Sequence, residues 1–258
     1  MSLIPSNEAC PDSIFPAVVG DGRLLIDLAG TVLEIRSGSE FWLGEACERF
    51  GSFVCGDATP DITITHTADE AAMTAQNGCL SIVHPGGQSA EIAARQGTDV
   101  LDGVLRTLLP SIIAPDLMVH GALLSDGERG FLCCGVSGSG KSTMAALFPE
   151  AALCDEMVRL AVGSEIEVRS LPFWRARPGA VPLGAIFILE HGEQHRRIPL
   201  AESEAIQELR RHIYWPVECP ELMLQTFEAL SDVCRDTPVF RLSFLPEPSV
   251  WATMMEGL

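Results

Sequence analysis

Lysine is nearly missing from this sequence of 258 residues. Lys141 is the only one, and the other 16 of its 17 basic residues are arginine. Basic residues of both kinds are outnumbered by 35 Asp and Glu, which leaves a net charge of −18. A chain this acidic repels phosphate backbones and anionic headgroups, so neither nucleic acid nor a membrane surface is an expected partner. Long apolar runs are missing too. None reaches the roughly 18 residues that a spanning helix needs, and "IAPDLMVHGALL" is broken by Asp116 and His120. The opening "MSLIPSNEACPDS" has no basic stretch and no apolar stretch of the signal-peptide kind. The expectation is a soluble, cytoplasmic protein. Nine cysteines are present, but no two stand as CxxC, the spacing common to zinc sites and redox dithiols. Buried, reduced thiols are expected instead.

The segments that remain read as a mixed α/β (α+β) chain long enough to bury a sizeable core. "RLLIDLAGTVLEIR" predicts two strands about an Ala29-Gly30 turn, "SEFWLGEACERFGSFV" a helix, and "DITITHT", "GCLSIVH" and "SAEIAAR" further strands. "GTDVLDGVLRTLLPSIIAP" repeats apolar residues at helical spacing until Pro110 and Pro115 are expected to stop it. Beyond residue 116 come a predicted hairpin, "LMVHGALLSDGERGFLCCGV", a glycine-rich loop, and a short helix, "STMAALF". Two or three strands in "AALCDEMVRLAVGSEIEVR", an apolar strand "GAIFILEH", two amphipathic helices, a strand "PVFRLSF" and a terminal helix "PSVWATMM" complete the reading. Adjacent Cys133 and Cys134, on a predicted strand, are expected to face opposite sides of a sheet. The texture suggests an N-terminal α+β lobe over residues 1–112 and a nucleotide-binding lobe over 113–258.

The glycine-rich loop explains the solitary lysine. Gly135-Val136-Ser137-Gly138-Ser139-Gly140-Lys141-Ser142, followed by Thr143, satisfies the phosphate-loop pattern GxxxxGK[ST] between an apolar strand and a helix. In that setting Gly135, Gly138 and Gly140 let the backbone approach phosphate oxygens. The amides of Ser137, Ser139 and their neighbours then point at the anion from a helix N-terminus. Ser142 brings a hydroxyl for a magnesium ion, and Lys141 a compact ammonium for the β- and γ-phosphates. The broad planar fork of arginine does not fit such a closed loop, so this is one position where lysine is not exchangeable. GTPases read guanine through an Asn/Thr-Lys-x-Asp motif, which a chain with one lysine already in use cannot supply, and no LSGGQ-like signature is present. ATP with Mg²⁺ is the expected ligand pair.

From Val119 to Val158 the chain resembles the HPr kinase/phosphorylase family, whose nucleotide lobe is related to phosphoenolpyruvate carboxykinase. "VHGALL" resembles the family's His-Gly strand, "GVSGSGKST" its G-x-S-G-x-G-K-S loop, and "LCDEMV" its A-D-D-x-V segment. The resemblance implies an HPr kinase C-terminal/phosphoenolpyruvate carboxykinase-like core and a serine kinase. It implies Asp155 as general base toward a serine hydroxyl, Glu156 as the metal-linked acid, and His120 beside the γ-phosphate. Phosphoryl transfer needs such parts: a carboxylate to take the hydroxyl proton and a cation to offset oxygen charge. Two departures stand out. Glu replaces Asp at 156, and "SLPFWRARPGAVPL" occupies the stretch where the family carries its glycine-rich signature. The chain is thereby more similar to divergent members associated with peptide modification, and the implied acceptor is a serine of a peptide or small protein, including a ribosomal precursor peptide. An ATP-binding accessory protein and a kinase of a small hydroxyl-bearing metabolite stay open beside it, as does a homo-oligomer. His120 has a second reading as a structural histidine. Arg175 and Arg177, in a Pro-bounded loop with Trp174, are candidates for a phosphate or acidic-peptide clamp. Arg196-Arg197 and Arg210-Arg211 read as solvated faces, and His191 and His195 lack a third metal ligand.

Overall fold

The computed structural model describes residues 22–68, 78–83, 89–94, 97–173, 176–216 and 219–258. The opening stretch to residue 21, Trp174 and Arg175 lie outside the described residues. The division between two compact units falls between Leu105 and Arg106, inside a helix, where the sequence had placed a boundary at 112/113.

The N-terminal unit is built on a five-stranded sheet in the order β1-β2-β3-β4-β5. β1 (Arg23–Asp27) and β2 (Val32–Ser37) form a hairpin whose turn is closed by the Asp27 carboxylate accepting the Gly30 amide at 2.5 Å. Helix α1 (Glu40–Phe50), with Ser39 as its N-cap, carries the chain over to β3 (Ile62–Ala68), which pairs parallel to β2. β4 (Gly78–Val83) and β5 (Ser89–Ala94) add antiparallel strands at the far edge. The indole of Trp42 stacks on His66 at 4.3 Å, and Ser37 shares a hydrogen bond with the same imidazole. Cys47 in α1 is disulfide-bonded, which corrects the expectation of reduced thiols at that position. The other cysteines whose side chains are described are free.

Helix α2 (Val100–Ile113) runs through Pro110 rather than stopping there. An internal proline forfeits one helical hydrogen bond at a cost of about 3 kcal/mol. Burial of Leu105, Leu109 and Ile113 on the face carrying the apolar repeat offsets it. The C-terminal unit then forms a nine-stranded sheet. Its strands are β6 (Leu117–Ser125), β7 (Gly130–Cys134), β8 (Ala152–Cys154), β9 (Met157–Val162), β10 (Ile166–Ser170), β11 (Ala180–His191), β12 (Arg196–Pro199), β13 (Ile213–Tyr214) and β14 (Val239–Phe244). The main order is β10-β9-β6-β7-β11-β14-β12, with β10 also pairing the start of β11, so that part of the sheet closes on itself. β7, β11 and β14 run parallel at its centre. Two short strands, β12 and β13, carry no sequence alternation long enough to read.

Side chains alternate across this sheet. Phe131 and Cys133 pack on one face with α3 (Lys141–Leu147) and α6 (Val250–Met255). Leu132 and Cys134 pack on the other with α4 (Glu202–Leu209) and α5 (Pro220–Asp236). The two cysteines thus face opposite sides, and burial pushes the Cys133 thiol up to about 12 and the Cys134 thiol up as well, which leaves both inert. No helix among the described residues is long and apolar enough to cross a membrane.

Candidate functional site

Three parallel strands end at the same edge of the C-terminal sheet, the edge where open α/β sheets place their ligands. The glycine-rich loop leaves β7 there and enters α3 at Lys141. Its glycines are required sterically. A Cβ on Gly135 would lie 2.3 Å from the Ser139 hydroxyl, and one on Gly140 would lie 2.6 Å from the ring of Phe244, at the end of β14. Gly140 and Gly138 adopt φ of 103° and 81°, which side chains of L-residues rarely take. Ser139 is buried, and its amide closes a turn onto the Val136 carbonyl at 3.0 Å.

Inside the loop the Lys141 ammonium donates to the carbonyls of Gly135 at 2.7 Å and Val136 at 3.2 Å. Only 7% of the residue is exposed, and burial lowers its pKa. An ammonium has three N–H donors, so this geometry leaves one for a ligand.

Opposite the loop stands the β8–β9 turn, Asp155-Glu156. Its position follows from β6, which pairs with β7 and β8 from Gly121 onward and with β9 and β13 before it. At that switch of partners the Gly121 amide donates to the Glu156 carbonyl at 3.0 Å, and the His120 amide to the His212 carbonyl at 2.7 Å. Gly121 must be glycine: a Cβ would sit 2.7 Å from Leu132 Cδ1 and 3.0 Å from the Cys133 carbonyl. The result is a cleft of ≈ 310 Å³ lined by His120, Ser137, Gly138, Gly140, Lys141, Ser142, Thr143, Asp155 and Glu156. Of the residues singled out in the sequence, Gly135 and Ser139 lie behind this surface and shape the loop.

Charge in the cleft is balanced by residues that the sequence reading missed. The Arg106 guanidinium, from α2, pairs with the Glu156 carboxylate, donates to the Tyr214 hydroxyl at 3.1 Å, and lies 4.8 Å over the ring of Phe173. Burial works against its charge, but Glu156 and Tyr214 outweigh it and raise its pKa. Burial lowers the pKa of His120, assisted by the Lys141 and Arg106 cations and opposed by Glu156. Behind it His212, 8% exposed, is pushed down to about 4 by burial and then by Lys141 and His120. His191, at the end of β11, donates through Nε2 to the Gly138 carbonyl at 2.8 Å and so braces the loop tip.

One clamp candidate falls elsewhere. Arg177 does not line the cleft; its Nη2 donates to the carbonyls of Pro149, Glu150 and Ala152 and holds the turn after α3. Arg175 lies outside the described residues. His195 accepts the Leu245 amide at Nδ1 and donates from Nε2 to Ser249. Arg197, read as solvated, lies over the Phe240 ring at 4.4 Å and donates to the Met254 carbonyl at the end of α6. Arg210 and Arg211 are exposed.

The donor set suits a hard cation carried by phosphates. Ser142, Asp155 and Glu156 present oxygen ligands to one cleft, and among the described residues no group of three or more His, Cys, Asp or Glu forms a ready cage. Magnesium favours such sites, where phosphates and water complete its octahedron.

No family model and no curated protein matches the chain. Among solved structures it is similar to the HPr(Ser) kinase/phosphatase from Coxiella burnetii, with 10% identity and a TM-score of 0.31 over 54% of this chain and 93% of that one. A likeness that low carries no argument about chemistry, which rests on the cleft itself.

Proposed function

We propose that this chain is an ATP- and magnesium-dependent phosphotransferase that moves the γ-phosphoryl group to a serine hydroxyl of a peptide or small protein. One observation carries the reading: the glycine-rich loop with Lys141 and Ser142 shares a single cleft with Asp155 and Glu156 from the β8–β9 turn and His120 from β6. Transfer to a hydroxyl needs a carboxylate facing the loop to take the proton, beyond any acid that serves the metal, and the cleft has two adjacent acids.

In this reading the loop amides and the Lys141 ammonium bind the β- and γ-phosphates and orient the γ-phosphorus toward Asp155. The acceptor oxygen bonds to that phosphorus as the bridge to the β-phosphate breaks, ADP leaves, and the hydroxyl proton passes to Asp155. Magnesium bound with the nucleotide neutralises phosphate charge, and Ser142 and Glu156 are the side chains that would hold it. His120, whose pKa is lowered by burial and neighbouring cations, offers a hydrogen bond to a γ-oxygen. The resemblance of "VHGALL", "GVSGSGKST" and "LCDEMV" to HPr kinase motifs supports these roles for the same residues.

The test is incubation with γ-labelled ATP and a panel of serine-containing peptides and free hydroxyl metabolites, with label followed on acceptor and as free phosphate. Phosphoserine on peptide supports the proposal. Label found only on a free metabolite, or only as inorganic phosphate, contradicts it.

A further inference from the structure

The tip of the phosphate loop has little packing to hold it. Val136, Ser137 and Gly138 are exposed, Val136 to 67%, and a Cβ placed on Gly138 would meet nothing within 4 Å. Gly138 sits at φ 81°, in the region that only glycine enters freely. A loop that binds phosphates through its amides must still keep them aimed before the ligand arrives, because ordering them on binding reduces affinity.

His191 meets that need. β11 runs parallel to β7, with Ile188 beside Cys134, so its last residue arrives next to the loop that leaves β7. The His191 Nε2 lies 2.8 Å from the Gly138 carbonyl oxygen. A carbonyl only accepts, so the ring carries a proton on Nε2. The peptide that Gly138 shares with Ser139 is held at its other end as well, where the Ser139 amide donates to the Val136 carbonyl at 3.0 Å. That carbonyl also accepts the Lys141 ammonium at 3.2 Å. One chain of hydrogen bonds therefore runs from the ring, through the 138–139 peptide, to the lysine.

We infer that His191 is a positioning residue of the nucleotide site: its bond to the Gly138 carbonyl fixes the 138–139 peptide and, through the Val136 carbonyl, the setting of Lys141 before phosphate binds. The inference rests on the nucleotide reading of the loop and adds to it a residue from a strand that carries none of the sequence motifs. His191 acts on the phosphates through the loop, without touching the nucleotide.

The test separates the bond from the ring. His191→Phe keeps a ring and has no donor, whereas His191→Gln returns an N–H on a side chain of similar reach. Calorimetry is run with Mg-ATP and with magnesium tripolyphosphate, which has the phosphates and no base. His191→Phe is expected to weaken both by about fivefold, the worth of one net hydrogen bond. His191→Gln is expected to stay within about twofold of wild type on the same scale. A second arm needs no ligand: hydrogen exchange of the Ser139 amide speeds up in His191→Phe and slows again in His191→Gln.

Unchanged affinity in His191→Phe overturns the role. A loss confined to Mg-ATP overturns it too, because it assigns the ring to the base or ribose. A loss that His191→Gln does not recover assigns the effect to the shape of the ring, with the same consequence. Wild-type protein that binds neither ligand overturns the nucleotide reading and this role with it, even where the exchange arm upholds the bond. Wild-type protein that binds both while His191→Phe binds as tightly overturns the role of His191 alone.

Discussion

Replacing Lys141 by arginine keeps the charge and changes only its shape, so it isolates the reason this chain retains one lysine. The ammonium sits 2.7 Å from the Gly135 carbonyl and 3.2 Å from that of Val136, in a residue 7% exposed. A guanidinium is broader than an ammonium and planar, so it cannot make the same two bonds from the same point and is expected to leave the nest. Losing one preorganised donor to phosphate costs about 3 kcal/mol, roughly 150-fold in affinity. Lys141→Ala is expected to lose that amount, and Lys141→Arg to recover no more than about tenfold of it. Both variants leave two loop carbonyls without their donor, so each unfolds with about 1–2 kcal/mol less stability. Binding is therefore measured well below the melting midpoint. The assay is calorimetric titration with Mg-ATP beside a thermal melt of each variant. An arginine variant with native affinity would refute the argument from shape.

Gly121→Ala forces a methyl group against the Cys133 carbonyl and Leu132 at the switch point of β6. The expected cost is about 1–3 kcal/mol, read as a lower urea midpoint, because a backbone atom cannot step aside. His212 makes stability depend on acid: its unfolded value is 6.5 and its folded value about 4. Above pH 6.5 it is neutral in both states; as pH falls toward 4 the unfolded chain takes a proton that the folded one refuses, and about 2–3 kcal/mol of stability is lost. His212→Asn, which keeps the backbone bond to His120, removes that part of the decline. Urea melts at pH 7.5 and pH 4.5 check this, and equal declines in both proteins would contradict it.

The loop was readable because its pattern is local: three glycines, three serines and one lysine fall within eight residues. The β6–β7 hairpin and the opposite faces of Cys133 and Cys134 were readable for the same reason, since strand alternation is local. Long-range partners were not. Arg106 sits in a helix whose apolar repeat says nothing of Glu156, fifty residues on. His191 bonds a backbone carbonyl, which leaves no trace in side-chain identity. Pro110 misled because a proline stops a helix only where packing does not outweigh the lost bond. Arg177 was noticed for its charge, but loop carbonyls claim that charge before any substrate does.

Asp155→Asn tests the central claim most directly, because it keeps the shape of the proposed base and removes only its ability to take a proton. Single-turnover reactions with labelled ATP and an unphosphorylated serine acceptor peptide give the rate of transfer, and calorimetry on the same preparation gives nucleotide affinity. The expected result is near-native Mg-ATP binding with transfer slowed roughly 10²–10⁴-fold. Transfer at the wild-type rate in Asp155→Asn would contradict the assignment of Asp155 as the base and, with it, the account of this cleft.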